Sequence, residues 1–265
     1  FSTVDAAVHT FYRLTEGEWN ALIQALRPLR KAFPLGPGLP LQIHPHLRQQ
    51  GYRGEYWRQW TSVVLPFIGA RNLVRATAMT VNPAGNVWVF TGFDIANGQM
   101  ARINIPRIDN QGQAFFTSPD NTSEFVTQMN PVPPGQDSFM RLLTNSVKLR
   151  KEGREGEIKE ALRTALEIDN PAFHNPGTMD CASCHASRAV THWARAHFPQ
   201  WDWNRLFPRE SFKGPGNLTN TSVNPMRTDI LRAFGYFGTD PIISSRVIHE
   251  TSLVVGQMSA SERRY

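Results

Sequence analysis

The chain has 265 residues, 40% of them hydrophobic, enough to bury a sizeable core as one large domain or two moderate ones. No apolar run reaches bilayer-spanning length, which excludes a transmembrane segment, and 28 Lys/Arg against 22 Asp/Glu give a net charge of +6. Taken along the chain that excess is spread, seven cations against four anions over 1–70, eleven against eleven over 71–178 and ten against seven over 179–265. It therefore reads as a solvated basic surface, with a pull towards an acidic partner or an anionic membrane, and not as a nucleic-acid footprint.

The first residues, Phe1 to Asp5, lack the charged and apolar regions of a signal peptide. Thr15-x-x-Glu18 is a capping box that opens a helix over 15–33, with Trp19, Leu22, Ile23, Leu26 and Phe33 at helical spacing. Pro28 cannot donate a backbone hydrogen bond and is expected to kink or divide that helix. A Pro/Gly-rich loop runs from Pro34 to Pro40. His44-Pro45-His46 follows; the proline sets an extended backbone that points the two rings apart, so they read as polar or packing residues rather than a metal pair. Tyr52, Tyr56, Trp57 and Trp60 read as core or interface.

From 72 to 108 the pattern becomes extended. Leu73–Val81, Val87–Ile95 and Met100–Ile108 are separated by Asn82–Asn86 and by Asn97-Gly98, and Asn-Gly between alternating runs signals a hairpin. The result is a three-stranded antiparallel meander that must lean on the first helices. Residues 112–134 have loop composition, with 120–124 a short capped helix, and helices are predicted over 137–150 and 155–168. The fold class is α+β, mainly helical, with the small meander in the N-terminal half. Asn170-Pro171 to Gly177 marks a boundary between an N-terminal α+β part, 1–170, and a C-terminal helical part, 171–265. The first part shows no nucleophile–base pair, phosphate loop or paired carboxylates and reads as a docking or assembly part.

The only two cysteines lie in Cys181-Ala182-Ser183-Cys184-His185. On a helix starting at Asp180 and running to about Phe198, positions 181, 184 and 185 share one face. Two thiols and an imidazole converging on one object suit a haem, the thiols forming thioethers with its vinyl groups and His185 ligating iron from the proximal side.

In this pentad the chain resembles the c-type cytochromes, a broad family defined by that attachment motif; the first half resembles no family. The resemblance implies one covalently attached haem c, a helical cytochrome c-like C-terminal part, and export to the periplasm or another extracytoplasmic compartment, with Phe1 a processed or trimmed end. Single electrons would then pass between redox protein partners, the chain acting alone or as one subunit of a larger assembly, a carrier rather than a catalyst. Trp193, Trp201, Trp203, Phe207 and Phe212 would cover the ring, and Arg188, Arg195, Arg227 and Arg232 are candidates for its propionates. Arg188, Trp193 and Arg195 follow the pentad on its own helix, and Arg188 and Trp193 are the two taken as cofactor-binding.

The second iron ligand stays open. Met226, in Asn224-Pro225-Met226 beside a helix through Leu231 and Phe234, is one candidate; His249, on a helix capped by Asp240 with Pro241 first, is another. Met258 and His174 are weaker ones. His192 lies seven residues past His185, about 10 Å along the axis, and cannot reach the same iron. Two other readings are carried. One is a haem enzyme or gas or peroxide sensor with an open distal face. The other is a zinc-stabilised interaction module using His192 and His197, whose spacing from Cys184 is short for a zinc finger.

Overall fold

The computed structural model describes residues 6–35, 43–82, 87–117, 124–214, 234–237 and 240–262. The chain divides into a larger compact unit, residues 1–6, 79–91 and 104–265, and a smaller one, residues 7–78 and 92–103. The fold is α+β with antiparallel sheet, as the alternation of patterns predicts.

In the smaller unit a strand β1 (Ala6–Tyr12) precedes helix α1 (Glu16–Ala32), followed by α2 (Pro45–Gln50) and α3 (Glu55–Val64). The predicted capping box forms: the Thr15 hydroxyl accepts from Glu18 N at 3.2 Å, and the Glu18 carboxylate accepts from Thr15 N at 2.9 Å. That carboxylate, held below its usual range chiefly by the Thr15 backbone bond, also meets Arg71 at 3.0 Å. Helix α1 runs through Pro28 as one element, so of the two expected outcomes division does not occur. The proline sits in the last turns, where losing one backbone bond is tolerated while Leu29 and Phe33 bury beside it.

The two histidines pack as ordinary polar residues, as expected, but their rings are drawn together and do not point apart. His44 keeps an extended ψ of 133°, yet the rings lie 5.6 Å apart, because His44 stacks on Tyr56 at 3.8 Å and its Nε2 donates to Phe33 O. Its Nδ1 accepts from His46 N, so both ring nitrogens are used and none remains for a metal.

Strands β2 (Leu73–Asn82) and β3 (Val87–Ala96) each contribute residues to both units. Within the smaller unit β1 lies beside β2, and the end of β3 turns through Asn97-Gly98, both at positive φ, into β4 (Gln99–Arg102). Phe93 faces Arg102 and Ala96 faces Gln99, the predicted hairpin. A Cβ on Gly92 would come within 2.7 Å of Ala76 O, so the strand crosses there only as glycine.

In the larger unit the start of β3 pairs with β5 (Gly112–Phe116), which pairs with β6 (Gln128–Asn130). Both strands fall where loop was expected. The hairpin pattern was broken by Gln113, a buried polar residue on the inward face of β5, whose partners lie on a distant helix. The expected short helix over 120–124 lies outside the described residues apart from Glu124. Helices α4 (Asp137–Lys151) and α5 (Glu155–Asp169) match expectation to within a residue, α4 carrying a non-helical Asn145. Next come α6 (Cys181–His197), the short α7 (Trp203–Leu206), the hairpin β7 (Phe234–Phe237) and β8 (Asp240–Ile243), and α8 (Ser245–Glu262).

Three expectations are corrected here. Phe234 lies on a strand, not a helix, and Asp240-Pro241 opens β8 rather than the last helix. That helix starts at Ser245, with the Ser244 hydroxyl accepting from Val247 N. Residues 170–177 form a tight connection rather than a domain boundary: Asn170 is buried, its side chain donating to Glu210 O and accepting from Ala172 N, and α5 packs on α6. Among the described residues no helix is long and apolar enough to cross a membrane.

The core of the larger unit is built from Trp88, Phe115, Phe139, Leu142, Leu162 and Trp193. Beside it Glu124 gathers four donors: Ser146 Oγ at 2.7 Å, Trp193 Nε1 at 3.0 Å and two nitrogens of Arg150. Burial alone would raise this carboxyl. The bonds from Ser146, Trp193 and Arg150 outweigh it and hold the group below its usual range. A carboxylate with a depressed folded pKa stabilises the fold above its unfolded value and loses that contribution as pH falls through the folded one. Glu124→Ala should therefore cost about 2–3 kcal/mol in urea denaturation at pH 7, because it also strands the buried indole N–H. The cost should shrink as pH falls below about 4.5, and an equal cost at pH 7 and pH 3 would contradict the role.

Candidate haem site

Asp180 caps α6 through its side chain, accepting from Ser183 N at 3.0 Å. Gln113, 2% exposed, locks this cap to β5: its Nε2 donates to Asp180 Oδ2 at 2.9 Å and to Pro131 O at 3.2 Å, while its Oε1 accepts from Ala182 N at 2.8 Å. One amide thus serves one backbone N–H that the helix start leaves unsatisfied and steadies the carboxylate that caps another. Ser183 adds a bond to Gln136 at 3.0 Å. The rotation of α6 about its axis is set at its first turn.

That rotation decides which side chains reach the outside. Ala182, Ser183, Ala186, Ser187, Ala189, Val190, Trp193 and Ala194 are all buried. Cys181, Cys184 and His185 are half-buried, and His192 continues the same strip. Positions 181, 184 and 185 share one half-buried face of α6, as their spacing requires, with the Cys184 sulfur itself turned into the buried side. The His185 ring packs 5.0 Å from the ring of Phe90 on β3.

On the other flank stand the end of α5 and the start of α8. The Asp169 carboxyl accepts from Ser187 Oγ at 2.7 Å, and burial raises it to about 6 against the pull of that bond and of Arg188 and Arg246. Arg246 donates to Ile168 O, His174 O and Glu250, tying α8 to the connection before the pentad. His249 stacks on Phe212 at 4.2 Å, and its Nδ1 donates to Asp169 O at 2.6 Å. The carbonyl can only accept, so the proton is on Nδ1 and Nε2 keeps its lone pair. That is the tautomer in which a metal-binding histidine is usually held.

The remaining candidates separate. Arg188 lies on the strip, 5% exposed, in the field of Asp169. Trp193 is fully buried about 80° round α6 from His185, bonded to Glu124 and packed on Phe125 and Phe198. Trp201 stacks on Phe198, Trp203 lies under Arg195, and of the expected ring cover only Phe212 reaches α8. His174 is half-buried near Arg107, Arg246 and Asp180, with its imidazole pKa lowered by burial. Met258 lies nine residues beyond His249 on α8, about 13 Å along the axis. Met226, Arg227 and Arg232 lie outside the described residues.

Two features bear on the non-haem readings. Burial pushes the Cys184 thiol up to about 12, so with no metal beside it the thiol stays protonated at neutral pH, unlike the attacking thiolate that a C-x-x-C redox dithiol would need. Cys181 and His192 stand about 16 Å apart along one continuous helix, and His197 points roughly 140° away from His192 around it, beside Glu124. Those histidines cannot close a tetrahedron with the cysteines. Two cysteines and a histidine on one half-buried face are the donor set that a haem c would use, while among the described residues no three His, Cys, Asp or Glu side chains gather as a site for a bare metal ion.

Gln113, Asp169 and Arg246 were not singled out from the sequence. The Gln113 bond to Asp180 spans 67 residues, and no local pattern signals it. No protein-family model matches the chain, and neither a curated protein nor a solved structure matches it.

Gln113→Leu should lower stability by about 1–3 kcal/mol, since it leaves the buried Ala182 N–H unserved and takes away one of the two donors on Asp180 Oδ2; urea melts check it. In haem-free Cys181→Ala protein, alkylation of Cys184 at pH 7 should be roughly a thousandfold slower than in concentrated urea, following the smaller thiolate fraction. Equal rates would mean the thiol is not buried as described.

Proposed function

We propose that this chain is a mono-haem c-type cytochrome that passes single electrons between protein partners outside the cytoplasm. Cys181 and Cys184 are the covalent tethers and His185 the proximal iron ligand. The supporting observation is the half-buried strip at the start of α6 that carries these three residues, with the buried Arg188 one turn on, while Ala182, Ser183, Ala186, Ser187, Ala189 and Val190 beside it are sealed. A haem held there supplies a one-electron couple within a mostly dry surround.

The chain's own residues do the positioning. Asp180 and Gln113 fix the helix start, Phe90 limits rotation of the His185 ring, and the alanines on the sealed faces let β5 and α5 approach closely and exclude water. Arg188 is placed to meet a propionate. For the second ligand the tautomer of His249 favours it over Met226, because its free Nε2 needs no rearrangement of the Asp169 bond.

A two-histidine centre gives a low-spin ferric spectrum and a low potential. His249→Ala should open the distal position: the ferric spectrum should turn high-spin and the reduced protein should bind carbon monoxide, while Met226→Ala should leave both unchanged. The opposite pattern assigns the thioether. Carbon monoxide binding by the unaltered reduced protein would instead favour an open site of the sensor or enzyme kind.

A further inference from the structure

Positive charge that looks scattered along the chain collects when counted by compact unit. The smaller unit holds ten Lys/Arg against four Asp/Glu, an excess of six that equals the net charge of the whole chain; the larger unit holds eighteen against eighteen. Nine of the ten are arginines, and two of the four acids, Glu18 and Asp94, are already paired within the unit with Arg71 and Arg75.

The stretch from α2 to α3 shows how this charge is presented. Arg48, Arg53 and Arg58 are exposed, and the only acid among them is Glu55. Tyr52 stands 73% exposed between the arginines, edge-on to Trp57 at 5.0 Å, which stacks on Trp60 at 5.1 Å. The same unit also exposes Phe11, Trp19, Leu35, Leu65 and Met100. Arginine forks suit phosphate oxygens, and basic residues near an anionic bilayer each add to its attraction. Arginines alone would suit any acidic partner. An exposed ring among them, with further exposed apolar side chains elsewhere on the same unit, selects a lipid surface, because tyrosine and tryptophan settle at the boundary between headgroups and hydrocarbon.

We propose that the smaller unit is a peripheral docking module for anionic phospholipid membranes, with Arg48, Arg53 and Arg58 on headgroup phosphates and Tyr52 in the boundary layer. The proposal does not depend on the haem reading.

Co-sedimentation of the full chain with phosphatidylglycerol vesicles, beside phosphatidylcholine vesicles, tests it. Binding should be strong to the first, weak to the second, and should fall as salt is raised from about 50 to 500 mM and the screening length shortens. The triple variant Arg48→Gln, Arg53→Gln, Arg58→Gln should weaken binding roughly a hundredfold, about fivefold per charge. Tyr52→Ala, which removes an exposed ring, should weaken it without altering the salt dependence; thermal melts check that both variants are folded. Equal binding to both lipids, or binding untouched by the triple substitution in a folded variant, overturns the proposal. So does equal affinity for a single-stranded polynucleotide, which would make the surface a nucleic-acid site.

Discussion

The larger unit depends on a single buried amide. Gln113 reaches from β5 to the first turn of α6, serving the Asp180 carboxylate and the Ala182 N–H together. A helix start in a dry interior needs such partners, since each unserved group costs about 1–3 kcal/mol. Once they are fixed the helix cannot turn about its axis, and its phase decides which residues are sealed. With alanine and serine at the sealed positions, neighbours pack closely and leave one strip half-open. The cysteines and His185 occupy it.

The far end of the helix is held by a different device. Trp193 and His197 lean on Glu124, which also takes Ser146 and Arg150. The two anchors have opposite characters: a neutral amide at the pentad end, an ionised carboxylate at the other. Charge near the strip is instead supplied by Asp169, Arg188 and Arg246, which offset one another at close quarters. The electrostatic character of the chain as a whole is divided in the same spirit, with balance in the larger unit and the entire excess in the smaller.

Local signals carried much of this into the sequence. The capping box at Thr15, the Asn97-Gly98 turn and helices α4, α5 and α6 are each written in a few neighbouring residues, and so is the shared face of Cys181, Cys184 and His185. What could not be read depends on long-range partners. β5 was hidden because a glutamine occupies an inward position that makes sense only beside Asp180. Trp193 sits eight residues after His185 on the same helix, yet its burial against Glu124, 69 residues away, turns it from the pentad. Pro241 resembles a first helical position as much as an edge strand, and pairing with Tyr236 decided between them. The charge was invisible to linear counting because the smaller unit is assembled from two separate segments of chain.

The central claim is that the open strip of α6 carries a tetrapyrrole bonded through both sulfurs. Peptide mass spectrometry of the protein purified from an exporting host addresses it directly, because trypsin releases Thr164–Arg188 with both cysteines inside. The account predicts that peptide heavier by one haem, with the mass retained after reduction and acid extraction. The same peptide at its bare mass, or with the two sulfurs joined to each other, would contradict it.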